Sequence, residues 1–121
     1  MSDLTTQGAE DAAQGLLTLY GTGTSRIAIG DSATLFDISQ TGLIGVNKAY
    51  KAADSAALSG GNRLTFTATY GSSEANGFTV REIGVDRTTR LLVRNVLASS
   101  IAAKTSAEEW AFIIHVDVIP G

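Results

Sequence analysis

A chain of 121 residues with 44% hydrophobic and 17% charged residues has the composition of one globular domain, far from the polar, highly charged profile of a disordered segment. Its net charge of −3, with no run of lysine or arginine, supplies no phosphate-binding field and argues against nucleic acid as a partner. The absence of cysteine excludes a disulfide framework and a thiolate metal site, and no apolar run approaches the ~18 residues of a membrane-spanning helix.

Residues 1–7 are polar and are expected to form an N-terminal arm that is flexible or ordered by a partner. The beginning of the chain has neither the basic nor the apolar region of a secretory signal, so synthesis in the cytoplasm is expected. From Gly8 to Tyr20 the sequence predicts a short helix, with Glu10 and Asp11 near the positive end of its dipole and Gly15 as a weak point. Gly21 to Gly23 break the chain, and Arg26 to Ile29 predicts a short strand with Ile27 and Ile29 on one face. Asp31 to Leu43 reads as a loop anchored by Leu35, Phe36 and Ile38. Val46 to Leu58 is alanine-rich, as helices are, yet Val46, Lys48, Tyr50 and Ala52 also alternate as in a strand.

The second half predicts a sheet. Leu64, Phe66, Ala68 and Tyr70 alternate with Thr65, Thr67 and Thr69, the period-2 pattern of a strand with one buried face. Strands are expected at about Arg63 to Tyr70, Gly77 to Val85, Arg90 to Ala98 and Glu109 to Ile119. The short turns SSEAN, DRTT and AAKTSAE favour antiparallel neighbours. Asn76 and Gly77 mark a turn or bulge that needs positive φ. Phe78, Ile83, Val85 and Leu92 are the expected core, together with Leu64 and Phe66. The last strand, with Trp110, Phe112 and Ile114, is apolar on both faces, which predicts burial on both sides by a partner sheet or another subunit.

The segment ANGFTVREIGV resembles the late β-hairpin of small bacteriophage virion proteins, in which an "(A)NGxTIREIGL"-like strand precedes a "GxLxAxxxF" strand and a final long apolar strand. LLVRNVLASSIAAKTSAEEWAFIIHVDVIPG follows in that order. Upstream, LYGTGTSRIAIGDSATLFDISQTGLIGV is similar to the "GTGTxxxxxxxTxL" openings of the same group, so the likeness spans roughly Leu19 to Pro120. The chain departs from the group in lacking a glycine in the DRTTR turn before Leu91. The resemblance tips Val46 to Leu58 toward an extended, partly paired strand at its start. It implies a structural protein of the tail tip, baseplate or fibre attachment.

Possible chemistry is thin. Gly30, Asp31 and Ser32 resemble the nucleophile block of GDSL-type esterases, but the chain has one histidine, His115, and the position three residues before it holds Phe112 where those enzymes have Asp. Asp31 and Ser32 as turn formers is the stronger reading. Gly21, Thr22 and Gly23 form a partial phosphate-loop pattern whose third glycine is replaced by Arg26. His115 and Asp117 share a strand face and could ligate a metal with Glu108 or Glu109, although a histidine hydrogen-bonded within its sheet is the simpler reading. Glu82 stands in an apolar strand. It either faces the inner side or an interface, paired with Arg94 or Arg63, or is a solvated residue beside Arg81 or Arg87.

The expected protein is therefore one mainly β domain over residues 1–121, a small antiparallel sandwich or rolled sheet with a short N-terminal helix. No catalytic, cofactor or metal site is expected. Glu82, Arg94, Trp110, Phe112 and Ile114 are the candidate interface or buried polar residues, and Asn76 and Gly77 the turn. The expected partners are copies of the chain, as a trimer or six-fold ring, and other virion proteins; neither nucleic acid nor membrane is expected. Capsid decoration, or a head fibre, is the first alternative. A host-surface carbohydrate-binding module is the second, although only eight aromatic residues are present.

Overall fold

A computed structural model describes residues 3–121 and shows two antiparallel sheets with one helix, a small β-sandwich. The helix α1 runs Thr6–Leu19, earlier than the expected start, because the Thr5 side chain caps it by accepting from the Gly8 N–H at 3.0 Å. Thr6 and Gln7 are thus helical, and the Leu4 carbonyl accepts from the Gly121 N–H, so the expected loose arm is ordered from Leu4 onward; Met1 and Ser2 lie outside the described residues. Glu10 and Asp11 fall beyond the first turn, which holds no acid. Ala9 and Ala13 are buried, and Leu16 and Leu17 continue that stripe against the core. Gly21 to Gly23 form a tight turn, with Gly23 at φ +88°.

The strands are β1 (Arg26–Gly30), β2 (Lys48–Ala52), β3 (Ser55–Gly60), β4 (Arg63–Tyr70), β5 (Val80–Arg87), β6 (Arg90–Ile101) and β7 (Trp110–Asp117). One sheet has the order β2-β1-β5-β6 and the other β3-β4-β7. The alanine-rich stretch is two strands. Its chain turns at Ala53 and Asp54 from the first sheet into the second, with Ala53 N–H bonded to Ser25 and Asp54 N–H to Thr67, and ladder pairing outweighs the helix preference of alanine.

Of the three short connections, only DRTT joins neighbours, as the β5–β6 hairpin. The other two cross between sheets, so β4 pairs with β3 and β7 instead of β5. Sheets packed face to face lie only ~10 Å apart, a gap that a short loop spans as easily as it closes a hairpin.

The core lies between the sheets. Ile27 and Val85 from the first meet Leu64, Phe66 and Ala68 from the second, with Ile83 and Leu92 packed against them, while Phe78 joins a second cluster around Ile29, Tyr70 and Val80. Tyr70 also ties the sheets: its hydroxyl reaches the Ile27 carbonyl at 2.6 Å and the Ala49 carbonyl at 3.1 Å. Burial and the neighbouring carboxylate of Glu74 push this phenol well above its ordinary pKa, so it remains a hydrogen-bond donor.

The hairpin turn between β5 and β6, which lacks the glycine of the similar virion proteins, places Thr88 at φ +57°, in the left-handed region. Thr88→Gly should therefore raise stability by up to ~1 kcal/mol, because the left-handed penalty of a side-chain residue exceeds the entropy that glycine adds to the unfolded chain. Denaturant midpoints check this. Phe66, fully buried, should cost ~3–5 kcal/mol on change to Ala, read from the same titrations.

Candidate functional site

The first sheet turns its outer face toward the segment between β1 and β2, residues 31–47, here called the arm. Gly84 lies on this face of β5. A Cβ there would stand 2.6 Å from the Val93 carbonyl oxygen and 3.2 Å from Leu43, so glycine lets the arm's Leu43 settle on the sheet. Leu43, 5% exposed, is the arm's apolar anchor. The expected anchors are the opposite: Leu35 is 81%, Phe36 54% and Ile38 92% exposed. The loop is held by polar groups at its ends, which leaves its apolar middle free to face outward.

Those polar groups converge on Glu82. Its Oε1 accepts from Arg94 Nε at 2.9 Å and from the Ile44 N–H at 2.9 Å. Its Oε2 accepts from the Gly45 N–H at 2.7 Å and the Ser32 N–H at 3.1 Å. Both side chains of the Glu82–Arg94 pair are fully buried. Arg94 also donates from Nη1 to Gln40 Oε1 at 3.4 Å, which brings the arm to the margin of the sheet at β6. Its Nη2 is buried without an acceptor among the described residues.

The GDS segment belongs to this clasp. A Cβ on Gly30 would lie 2.5 Å from Glu82 Oε2, and one on Gly45 would collide with Glu82 and with Asp31 Oδ1, so both glycines make room for the carboxylate. Asp31 accepts from the Asn47 backbone and side chain, closing the base of the arm. Ser32 Oγ bonds Thr34 Oγ1, while His115 bonds Thr65 on the outer face of the other sheet, so serine and histidine are not brought together. His115 and Asp117 do share a face. Asp117, however, pairs with Arg63 at 2.7 Å, and among the described residues no three His, Asp or Glu side chains converge as metal ligands. Arg63 is thereby not a partner of Glu82.

Around the clasp, Arg26 grips Asp86 with two hydrogen bonds of 2.8 and 2.9 Å and lies over the Tyr50 ring. Asn76 and Gly77 form the expected turn, with Gly77 at φ +90°; the other positive φ there is at Ala75. Asn76 Oδ1 accepts from the buried Lys104 at 2.8 Å, and the Gly77 N–H donates to the Lys104 carbonyl, which staples the two loops that cross between sheets. Nothing in AAKTSAE marks Lys104 as buried, and the sequence reading missed it.

Trp110, Phe112 and Ile114 point inward against the core clusters, Trp110 stacking edge-on to Phe112 and Phe112 edge-on to Tyr70. Expected burial on both faces of β7 is not found within the chain. Its outward row contains Ile113, 65% exposed, because no third layer covers the second sheet. Among the described residues no helix is long and apolar enough to cross a membrane. No protein-family model and no curated protein matches the chain.

Burial pushes the Glu82 carboxyl up, but the donors at Ile44, Arg94, Ser32 and Gly45 more than offset it and hold the group below the usual carboxylate range. A depressed folded pKa means the clasp contributes its full stability above the unfolded value of about 4.3 and loses it as pH falls through the lower folded value. Glu82→Ala should cost ~3–5 kcal/mol at pH 7, since it strands the buried Arg94 charge, and Glu82→Ala with Arg94→Leu should cost less than Glu82→Ala alone. Thermal melts from pH 7 to pH 3 check both, and the wild-type loss on acidification should shrink in the double variant.

Proposed function

We propose that this chain is a structural component of a bacteriophage particle, a tail-tip, baseplate or fibre-attachment protein that works by protein–protein assembly. The observation that carries the reading is the arm. Leu35, Phe36, Ile38 and Val46 are exposed on a segment whose ends are fixed by Glu82, Asp31 and Leu43, so the apolar side chains are displayed by design of the surrounding contacts. A soluble monomer has no use for a fixed apolar display of this kind, and such patches mark interaction sites.

Several of the residues behind the virion resemblance support the same reading, because they have a task here. Asn76 and Gly77 staple the crossing loops, Glu82 clasps the arm, and Gly84 receives Leu43 of the upstream TGL segment. The two stretches that resemble virion proteins thus meet at one place in the fold. Low charge fits the role, since interface centres are depleted of charged residues.

Density for this chain is expected in a cryo-EM map of the particle from its source phage, repeated with three- or six-fold symmetry near the tail tip. Density at the capsid surface would favour the decoration role, and absence from the particle would refute the proposal. The purified chain should show no ester hydrolysis. Turnover abolished by Ser32→Ala would revive the esterase reading.

A further inference from the structure

The sandwich has one closed flank and one open flank. On the closed side the chain passes directly from β2 into β3 through Ala53 and Asp54. On the other side β6 and β7 are both edge strands, each hydrogen-bonded to a single neighbour. Between β5, β6 and β7 lies a cleft of about 340 Å³ whose apolar lining is Ile83, Val93, Ile113 and Ile114. Natural edge strands are usually blunted by lysine, proline or inward charge, yet β7 reads WAFIIHVD and carries no charged residue before His115.

The arm offers the complement of this flank. Leu35, Phe36 and Ile38 are exposed, and among the described residues the N–H groups of Leu35, Phe36, Asp37 and Ile38 have no protein acceptor. Leu35 to Asp37 lie outside any helix, strand or turn, and Ile38 stands at the corner of the turn that the Gln40 N–H closes onto the Asp37 carbonyl. The free amides of such a segment can add to a sheet edge with free carbonyls, while the Leu35, Phe36 and Ile38 side chains fill the cleft beside that edge. Charge agrees as well. Residues 31–46 contain Asp31 and Asp37 and no lysine or arginine, whereas β6 contains Arg90 and Arg94 and no acid. Asp31 and Arg94 are engaged within the chain. Asp37 Oδ1 accepts from the Ser39 N–H and hydroxyl, but Asp37 and Arg90 are both exposed and, among the described residues, in no ion pair.

A chain cannot fill its own cleft with this segment, because Glu82 and Leu43 hold the arm on the outer face of the first sheet while the cleft opens between the sheets. We propose that residues Leu35 to Ile38 of one copy dock into the open flank of a second copy, against the free edges of β6 and β7, with Asp37 facing Arg90. Every copy carries both halves of the contact, so it either pairs two copies reciprocally or repeats head to tail, closing into a ring where the rotation between copies allows and extending as a filament where it does not. The inference rests on the assembly reading and gives it a contact surface.

Sedimentation velocity of the full chain over a range of concentrations tests it. Wild type should associate, and Phe36→Ser with Ile38→Ser should weaken association at least tenfold, with a melting temperature unchanged at dilutions where the wild type is monomeric, since both side chains are exposed. Asp37→Arg and Arg90→Asp should each weaken it, and the two together should restore it. Association that ignores the arm variants, or a charge exchange that fails to restore it, overturns this contact while leaving the assembly reading intact. A chain that stays monomeric throughout also overturns the contact; the assembly reading itself falls only if the chain is missing from the particle.

Discussion

One carboxylate organises the outer side of this protein. Glu82 is removed from water on β5 and recovers its lost hydration from four donors, three of them backbone amides of the arm. A buried charge that leaves any of these donors unmet costs several kcal/mol, so the pair is stable only when the arm is closed. The glycines at 30, 45 and 84 follow from that closure, the first two because a Cβ would occupy the carboxylate's place and the third because Leu43 needs the space.

The clasp divides the arm into two parts with different physics. Its ends are tied by hydrogen bonds and by Leu43, and its middle has almost no internal bonding beyond the Asp37–Gln40 turn and the bond from Gln40 to the Leu35 carbonyl. A segment fixed at both ends has already lost much of its conformational freedom, so docking its apolar side chains costs less entropy than ordering a free tail would. In the proposed assembly role this is preorganisation. The second sheet is built differently, with threonine and serine hydroxyls bonded across its outer face and the Arg63–Asp117 pair at its end, contacts that are mostly solvated and contribute little to stability.

The parts of the fold that were legible in the sequence are those governed by local periodicity. The alternation from Leu64 to Tyr70 gave β4 its correct bounds and inner face, and Arg26 to Ile29, the DRTT hairpin and the positive φ at Gly77 were equally local. Strand partners were not legible for β4, since a short loop serves a hairpin or a sheet-to-sheet crossing alike. Glu82 with Arg94 could be named because a carboxylate in an apolar strand needs a cation, and Arg94 lies 12 residues on, on the adjacent hairpin strand. The amides of Ile44, Gly45 and Ser32 could not, because backbone donors leave no mark in a sequence. The anchors of the arm were misjudged for a related reason: hydrophobicity says that Leu35, Phe36 and Ile38 want burial, and only the fold says that nothing within this chain supplies it.

Amide hydrogen exchange on the isolated wild-type chain tests most directly whether the Glu82 clasp holds an arm whose tip is left free. The N–H groups of Ser32, Ile44 and Gly45 should be strongly protected, while those of Leu35, Phe36 and Ile38 a few residues away exchange rapidly at low protein concentration. Rapid exchange at Ile44 and Gly45, matching that of the tip, would contradict the account, for it would mean that the buried carboxylate does not hold the arm at all.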